Sequence, residues 1–298
     1  HFVLPFYSGV GFNHDPIRRY AAALDIPLRI EEEKEEFLEM IMDPEFGYGK
    51  NANPCIDCRI SRLKKARAIM EEEGASFIAT GEVVGQRPMS QRMDCLHKIE
   101  NKSGLKGILL RPLSAKLLQP TTVELNGLVD RNQLLGIAGR SRQVQLQYAR
   151  EHKLLHSTPA GGCILTHEAP SKRYTEMVAQ SRDITLSDFK LLAYGRHFRI
   201  RPALKVVVSR NESENHILER IAGPQDYFMY MADIAGPVAI MKKESTKEDL
   251  ALGASILVRF SKARGSESVA VKVFHENAEE VVTVSAATEE YCESVRIC

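Results

Sequence analysis

The sequence predicts an α/β protein with a doubly wound parallel sheet over residues 1–185 and a second, smaller α+β domain over residues 186–298. Two observations lead to this prediction. Strand-like and helix-like segments alternate through the first half, which is typical of a parallel sheet covered by helices. After about residue 185 short apolar segments of strand character dominate, with one long helical pattern among them. That pattern of predicted elements is typical of an α+β domain.

The composition excludes several classes of protein. Of the 298 residues 44% are hydrophobic and 27% are charged, so the chain is neither disordered nor fibrous. The most apolar run, residues 2–12, is broken by Pro5 and Gly9 and is shorter than the roughly 18 residues that a membrane helix needs. Six irregularly spaced cysteines without a signal peptide do not form a secreted disulfide framework. We therefore expect a cytoplasmic protein, without a membrane span, whose thiols are reduced.

The first half begins directly in a predicted strand, so we expect that sequence upstream of His1 is missing. Helical spacing predicts helices at 15–24, 32–42 and 60–73. Short apolar segments predict strands at 1–7, 26–30 and 77–80. In a parallel sheet, ligands bind beyond the carboxyl ends of the strands, and the loops at 43–58 and 81–91 lie there.

In the second half, the apolar segments predict strands at 205–208, 227–231, 269–274 and 281–284, and a helix at 248–261. Charge is distributed unevenly although the net charge is only +1. Residues 194–210 contain five basic residues and no acid, and residues 111–153 contain seven basic residues against three acids. This asymmetry favours a basic face that binds nucleic acid, and the alternative is an ordinary solvated surface.

Two cysteines at the start of a predicted helix, Cys55 and Cys58, form a C-x-x-C motif where the helix dipole favours the thiolate. Three interpretations are open: half a zinc site, a redox pair, or two ligands of an iron–sulfur cluster. Cys163 follows two glycines in a predicted loop. Three cysteines can hold a [4Fe-4S] cluster and leave one iron open, whereas in the alternative Cys163 is a small buried apolar residue. We interpret the remaining cysteines as structural: Cys95, Cys292 and Cys298.

The loop after the strand at 77–80 is rich in polar side chains and glycine, and its composition suits the wrapping of an adenylate. Its candidate nucleotide-binding residues are Thr80, Gly81, Glu82, Gln86 and Arg87. The alternative is a well-hydrogen-bonded turn. Nearby cations suit phosphate but could equally be partners in surface salt bridges. These candidate RNA-binding residues are Arg111, Lys116, Arg140 and Arg142.

The first half resembles a known family. The order Asn53-Pro54-Cys55-x-x-Cys58, a helix, Gly74-Ala75-x-Phe77-Ile78-Ala79-Thr80-Gly81-Glu82, and a distant Gly161-Gly162-Cys163 resembles the PP-loop ATP pyrophosphatases that thiolate tRNA. The resemblance implies a HUP-like fold and an ATP-dependent tRNA sulfurtransferase that makes 2- or 4-thiouridine. ATP would adenylate a uridine oxygen, and sulfur from a persulfide or a cluster would displace AMP.

The resemblance also implies roles for individual residues and molecules. Cys55 and Cys163 would be catalytic, and together with Cys58 they would hold a [4Fe-4S] cluster. The other cofactors would be ATP and Mg²⁺, and the partners would be tRNA and a sulfur donor, either a cysteine desulfurase or free sulfide. The family's Ser-Gly-Gly-x-Asp-Ser loop is absent, since the nearest string, Tyr7-Ser8-Gly9-Val10-Gly11, lacks the aspartate. Truncation upstream of His1 explains that gap better than degeneration.

The second half has its own resemblance. Tyr194-Gly195-Arg196-His197-Phe198-Arg199, Ser209-Arg210-Asn211-Glu212-Ser213-Glu214-Asn215 and Asp233-Ile234-Ala235-Gly236-Pro237 resemble the RNA-binding domain of the NFACT proteins. The match implies RNA contact through Arg196, His197, Arg199 and Arg210, with Tyr194 and Phe198 stacking on bases. The alternative places Phe198 in the core and Arg196 in a salt bridge.

Two other functions remain open from the sequence. The chain could be a non-catalytic RNA-binding protein whose Cys55, Cys58 and Cys163 hold a structural metal. It could also insert sulfur into a small molecule, which the basic second half disfavours.

Overall fold

The computed structural model describes residues 15–31, 35–156, 163–223, 225–242, 245–276 and 278–298. The chain divides into two compact units, His1–Gly162 and Cys163–Cys298. Both helices and strands are present, which confirms the predicted mixture of α and β structure. The sequence-based domain limit at residue 185 stays a prediction, since the compact units divide 23 positions earlier. Among the described helices, none is long and apolar enough to cross a membrane.

The first unit is mainly helical. Its helices are α1 (Asp15–Ala23), α2 (Glu35–Met42), α3 (Cys55–Glu72), α4 (Met93–Lys102), α5 (Thr122–Leu125) and α6 (Gln143–Glu151). The longest is α3, because Ile56, Ile60 and Leu63 recur at helical spacing and are buried against α4 and the strand that follows. The predicted helices at 15–24 and 32–42 are confirmed as α1 and α2. The predicted helix at 60–73 begins five residues earlier than expected, so Cys55 opens it.

A parallel sheet of two strands completes the described part of the first unit. Strand β1 (Ile78–Ala79) pairs with β2 (Leu109–Leu110), with Ile78 opposite Leu109. The predicted strand at 26–30 is wrong apart from a single bridge residue, Leu28, because Pro27 has no N–H to donate to a ladder. The predicted strand at 1–7 lies outside the described residues. No doubly wound parallel sheet is formed by the described residues.

The second unit is built on six antiparallel strands. These are β3 (Arg196–Arg201), β4 (Leu204–Val208), β5 (Tyr227–Met231), β6 (Val238–Met241), β7 (Val269–His275) and β8 (Ala278–Val284), in the spatial order β3-β4-β6-β5-β7-β8. The helices are α7 (Glu168–Gln180), α8 (Leu186–Leu191), α9 (Glu212–Ile221), α10 (Lys247–Arg259) and α11 (Glu289–Ser294). The four predicted strands are confirmed as β4, β5, β7 and β8, and the predicted helix at 248–261 is α10.

Helices bury both faces of this sheet. On one face Phe198 and Met229 pack with Leu257 of α10 in the larger apolar cluster. On the other face Val207 and Ile240 pack with helices α8 and α9. The segment 295–297 runs along the outer edge of β3, where the Arg199 N–H donates to the Val295 carbonyl at 2.7 Å and the Ile297 N–H donates to the His197 carbonyl at 2.9 Å. This pairing satisfies an edge that would otherwise expose backbone groups.

Replacement of Phe198 tests the packing of β3 onto α10. The ring is 0% exposed and lies 5.6 Å from the Phe260 ring, centroid to centroid. We expect Phe198→Ala to lower the free energy of unfolding of the second unit by about 3–5 kcal/mol. Hydrogen exchange of the β3 and β4 amides measures the loss. The control is Val281→Ala on β8, where a side chain 57% exposed should cost less than about 1 kcal/mol. Equal effects of the two substitutions would contradict the assigned core.

Candidate nucleic-acid interface

Two arginines hold the turn at 192–195, which leads from α8 into β3. The guanidinium of Arg173, on α7, donates from Nη1 to the Leu192 carbonyl at 2.9 Å. The guanidinium of Arg210 donates from Nη2 to the next carbonyl, that of Ala193, at 3.3 Å. Two cations from different parts of the chain therefore meet at one turn.

Gly195 lets the turn close against β4. Its φ of +71° lies in the left-handed region, and an added Cβ would lie 2.8 Å from the Val208 carbonyl oxygen, so no other residue fits without a backbone shift. The Gly195 N–H donates to Glu214 Oε2 at 3.2 Å, and the Arg210 N–H donates to the same oxygen at 2.8 Å. Burial opposes the charge of Glu214, but its bonds from Arg210 lower the pKa of this carboxyl below its ordinary value. Glu214 therefore stays ionised and ties Arg210 to the turn.

Two further arginines lie beside this pair. Arg196, at the start of β3, donates from Nη1 to the Ser209 carbonyl at 2.9 Å, and its guanidinium lies over the Phe260 ring, 4.8 Å from the centroid. Burial lowers the pKa of Arg196, and the charges of Arg210 and Arg296 act in the same direction. We call Arg173, Arg196, Arg210 and Arg296 the arginine cluster. Its members are close enough to repel one another, which concentrates positive charge on one part of the unit.

The predicted RNA-binding residues of the second unit separate into two groups. Arg196 and Arg210 belong to the arginine cluster. Arg199 forms a two-bond ion pair with Glu176, at 2.6 and 2.9 Å, and is mostly buried. His197 is fully buried, and burial together with the nearby charge of Lys205 lowers the pKa of this imidazole well below its usual range. Neither Arg199 nor His197 therefore presents a cation at the surface.

The interpretation of Phe198 as a stacking surface is wrong, because its ring is wholly in the core. The other predicted aromatic residue, Tyr194, is half-buried and packs against the apolar cluster of α8 and α9. The alternating pattern of arginine and aromatic residues reflects a strand with one face in the core. It does not reflect a row of exposed rings.

In the first unit the predicted phosphate-binding cations also differ in placement. Arg111 is buried, and its guanidinium donates to Glu82 Oε2 at 3.0 Å, to Glu100 Oε2 at 2.9 Å and to the Leu96 carbonyl at 3.3 Å. The alternative interpretation, a salt-bridge partner, fits Arg111. Lys116 is exposed and donates to the Asn132 carbonyl at 2.9 Å. The other two predicted phosphate-binding cations lie before α6. Arg140 is exposed and Arg142 is half-buried.

The predicted nucleotide loop is closed by its own hydrogen bonds. The Gly85 N–H donates to the Gln91 carbonyl at 2.7 Å, and the Thr80 hydroxyl lies 3.3 Å from Glu82 Oε2. Glu82 is buried and forms salt bridges to Arg59 and Arg111, so its carboxylate is used within the unit. Gly81 is exposed, and Gln86 and Arg87 are half-buried. Two buried amide atoms of the loop, Gln86 Nε2 and Gln91 Oε1, have no hydrogen-bond partner. ATP and Mg²⁺ binding here stays a prediction.

The cysteines of the predicted cluster lie in both units. Cys55 opens α3 and accepts a hydrogen bond on Sγ from Asn53 Nδ2 at 3.1 Å, and Cys58 follows one turn later. Both are half-buried, as is Cys163, which belongs to the second unit. Gly161 and Gly162 lie outside the described residues. Within the described ranges, no three His, Cys, Asp or Glu side chains are arranged to hold a metal ion. A [4Fe-4S] cluster on Cys55, Cys58 and Cys163 stays a prediction.

The remaining cysteines differ in exposure. Cys95 and Cys292 are buried, which fits the structural role predicted for them, and Cys298 is exposed. Burial raises the pKa of both buried thiols, so these stay protonated at neutral pH.

Sequence reasoning missed Arg173, Glu214 and Arg296. The Arg210–Glu214 pair has i,i+4 spacing on the chain, a signal that points to an ion pair at the start of α9. No comparable signal exists for Arg173 or Arg296, because Arg173 reaches the turn only through the packing of α7, and Arg296 reaches β3 only through the pairing of segment 295–297 with that strand.

The second unit is thus an α+β domain whose six-stranded antiparallel sheet has a concentration of arginine at one edge. Residues 195–295 match the family model of the NFACT protein RNA binding domain, and the match covers all six strands of that sheet. The resemblance predicted for the second half is therefore confirmed, and the chain contains an NFACT-type RNA-binding domain.

No curated protein matches the chain. Among solved structures, the C-terminal part of the fibronectin/fibrinogen-binding protein from Streptococcus suis is similar at 12% sequence identity and a TM-score of 0.32. The alignment covers 81% of this chain and 94% of that one. So low a TM-score carries no argument about fold or function. None of these similarities concerns the PP-loop thiouridine synthases.

Lys205 gives the second unit a pH dependence that can be measured. It lies on β4, and burial, assisted by Arg199 and Arg173, lowers the pKa of its ammonium from 10.5 to about 8. Between these values the unfolded chain binds more protons than the folded chain, so the Lys205 contribution to stability rises with pH. We expect the free energy of unfolding of wild type, minus that of Lys205→Met, to increase from about pH 8 to about pH 10.5 in urea titrations.

The matched control for Lys205 is Lys272→Met. The ion pair with Glu279 raises the pKa of Lys272, so this exposed lysine has a linkage of the opposite sign. Its difference curve should be flat or fall slightly over the same window. A Lys205 difference that does not change with pH would contradict the burial of its charge.

Proposed function

We propose that this protein binds RNA through its second unit, with the arginine cluster at the contact and tRNA as the partner. The match of residues 195–295 to the NFACT protein RNA binding domain carries this proposal. The placement of the cluster supports it, because Arg210 and Arg296 keep 45% and 39% of their side chains exposed. Guanidinium groups at such exposure suit phosphate oxygens.

Electrostatics explains how a nearly neutral chain would bind a polyanion. The net charge is +1, so attraction must come from the local distribution of charge. Each phosphate that a protein neutralises releases condensed counterions, and the binding constant then falls as salt rises. The slope of log K against log salt concentration therefore indicates how many phosphates the protein contacts.

We expect labelled tRNA to bind the full chain, with log K falling linearly against log salt concentration. With about three phosphate contacts the slope is about −2 to −3. Fluorescence anisotropy between roughly 50 and 200 mM salt measures it. An oligomer of the same base sequence with an uncharged backbone is the control and should bind weakly without salt dependence. If tRNA fails to bind at the lowest salt, where phosphate contacts are strongest, the proposal is overturned.

A second candidate is ATP-dependent sulfur transfer to tRNA, giving 2- or 4-thiouridine. One observation favours it: Cys55 lies at the start of an 18-residue helix and accepts the Asn53 amide hydrogen bond on its sulfur. A sulfur atom in this position has a hydrogen-bond donor beside it, and a cysteine sulfur is the atom that would carry sulfur or bind metal. An RNA-binding domain in the same chain would bring the substrate.

Iron content and product analysis test this second candidate. If Cys55, Cys58 and Cys163 hold one cluster, anaerobic reconstitution with iron and sulfide gives about four irons per chain, and each Cys→Ala variant loses them. Cys95→Ala is the matched control, because that buried thiol should leave iron unchanged. If Cys163→Ala keeps its iron, a cluster held by all three cysteines is contradicted. If thiouridine then forms without iron, persulfide chemistry is favoured. Metal bound without any thiouridine, from tRNA supplied with ATP, favours the non-catalytic alternative.

A further inference from the structure

We infer that Arg196, Arg210 and Arg296 form one binding site for phosphate groups of the RNA backbone, and that Arg173 is the positioning residue beneath it. This inference rests on the proposed RNA binding and names the contact. Arg173 and Arg296 lie outside residues 195–295, so the family match does not include them.

Backbone pairing brings the three contact residues to the same edge of the sheet. Arg196 opens β3 opposite Val208 of β4, and Arg210 follows two residues after Val208. On the other side of β3, Arg296 forms a bridge with Phe198, two residues from Arg196. The site is therefore assembled from three separate segments of chain around the first residues of β3.

The guanidinium groups keep donors available for a ligand. An arginine carries about five N–H donors. Arg196 uses Nη1 on the Ser209 carbonyl, and Arg296 uses Nη1 on Glu293 at 2.8 Å. Both groups remain partly exposed. Planar guanidinium groups bind phosphate oxygens through two parallel bonds, which suits the remaining N–H groups of both residues.

The cluster contains more positive charge than its partners neutralise. Among the described residues, Glu214 pairs with Arg210 and Glu293 pairs with Arg296, while Cys298 acts on Arg173. Burial lowers the pKa of Arg173, and the charge of Arg210 acts in the same direction, whereas the charge of Cys298 and a hydrogen bond to it act in the opposite direction. The buried Nε of Arg173 has no hydrogen-bond partner. A bound anion would reduce this repulsion, because it would add negative charge between cations that repel one another.

Two other cations of the second unit are closely paired with carboxylates. Arg199 is paired with Glu176, and Lys242 lies between Asp188 and Asp226 at 3.3 and 2.8 Å. Their charges are neutralised within the fold. The arginine cluster differs from these pairs because several guanidinium groups lie close enough to act on one another, and we expect a polyanion to bind there in preference to Arg199 or Lys242.

Surface substitutions test the site without disturbing the core. Arg296→Gln removes an exposed guanidinium, and Glu293→Gln removes the carboxylate that pairs with it. Lys272→Gln is the matched control, because this lysine also forms an exposed ion pair but lies on β7. Four strand spacings separate β7 from β3, about 19 Å, which is beyond the screening length of about 10 Å at 0.1 M salt.

We expect Arg296→Gln to weaken tRNA binding and to reduce the salt slope by about 1. Arg196→Lys keeps the charge but loses the two-bond geometry, so it should weaken binding several-fold with a nearly unchanged slope. Glu293→Gln should bind more tightly than wild type. Lys272→Gln should match wild type in both affinity and slope.

Two sources of phosphate are separated by a second ligand, inorganic tripolyphosphate, used as a competitor of tRNA and alone. If wild type binds tRNA and Arg296→Gln keeps its full affinity and slope, the site is wrong although the proposed function stands. An equal loss in Lys272→Gln also overturns the site. If wild type binds no tRNA, the proposed function fails. Tripolyphosphate binding that is lost in Arg296→Gln then supports a site for free phosphoanions, and its absence overturns the site.

Discussion

The turn at 192–195 is the constraint on which the second unit depends, because charged side chains satisfy its backbone groups. Arg173 and Arg210 bind its first two carbonyls, and Glu214 binds the Gly195 N–H. The left-handed conformation of Gly195 sends the chain directly into β3, whose core face is then buried. Cations that fix the fold thus also make the basic surface, so the side chains proposed to bind RNA also have structural roles.

This arrangement explains how a protein with almost no net charge can offer a site to a polyanion. A buried cation can be balanced where it lies, as Arg111 is by Glu82 and Glu100 in the first unit. Loss of one partner from such a buried pair strongly destabilises the protein. The intact pair presents no charge to solvent. Only an unbalanced group attracts phosphate at a distance. The local surplus of charge, and not the total, therefore determines where RNA would bind.

The sequence predicted the parts of the fold that local apolar patterns specify. Strands such as β4 and β7 were predictable because successive β-branched residues are buried, and α10 was predictable from its spacing. Strand β3 was missed because its arginines alternate with core residues and hide the pattern. The burial of Arg111, the approach of Arg173 to the turn and the approach of Arg296 to β3 arise from tertiary packing, which no local pattern encodes. The predicted parallel sheet is limited to β1 and β2 among the described residues.

Hydrogen exchange in the presence of tRNA tests the central claim most directly, because it reports where the RNA lies on the folded chain. Binding at the arginine cluster predicts slower exchange for amides of the turn at 192–195, of Arg196, of Arg210 and of Ile297, with β7 and β8 unchanged. Slower exchange confined to β7 and β8, with the turn at 192–195 unaffected, would contradict the account.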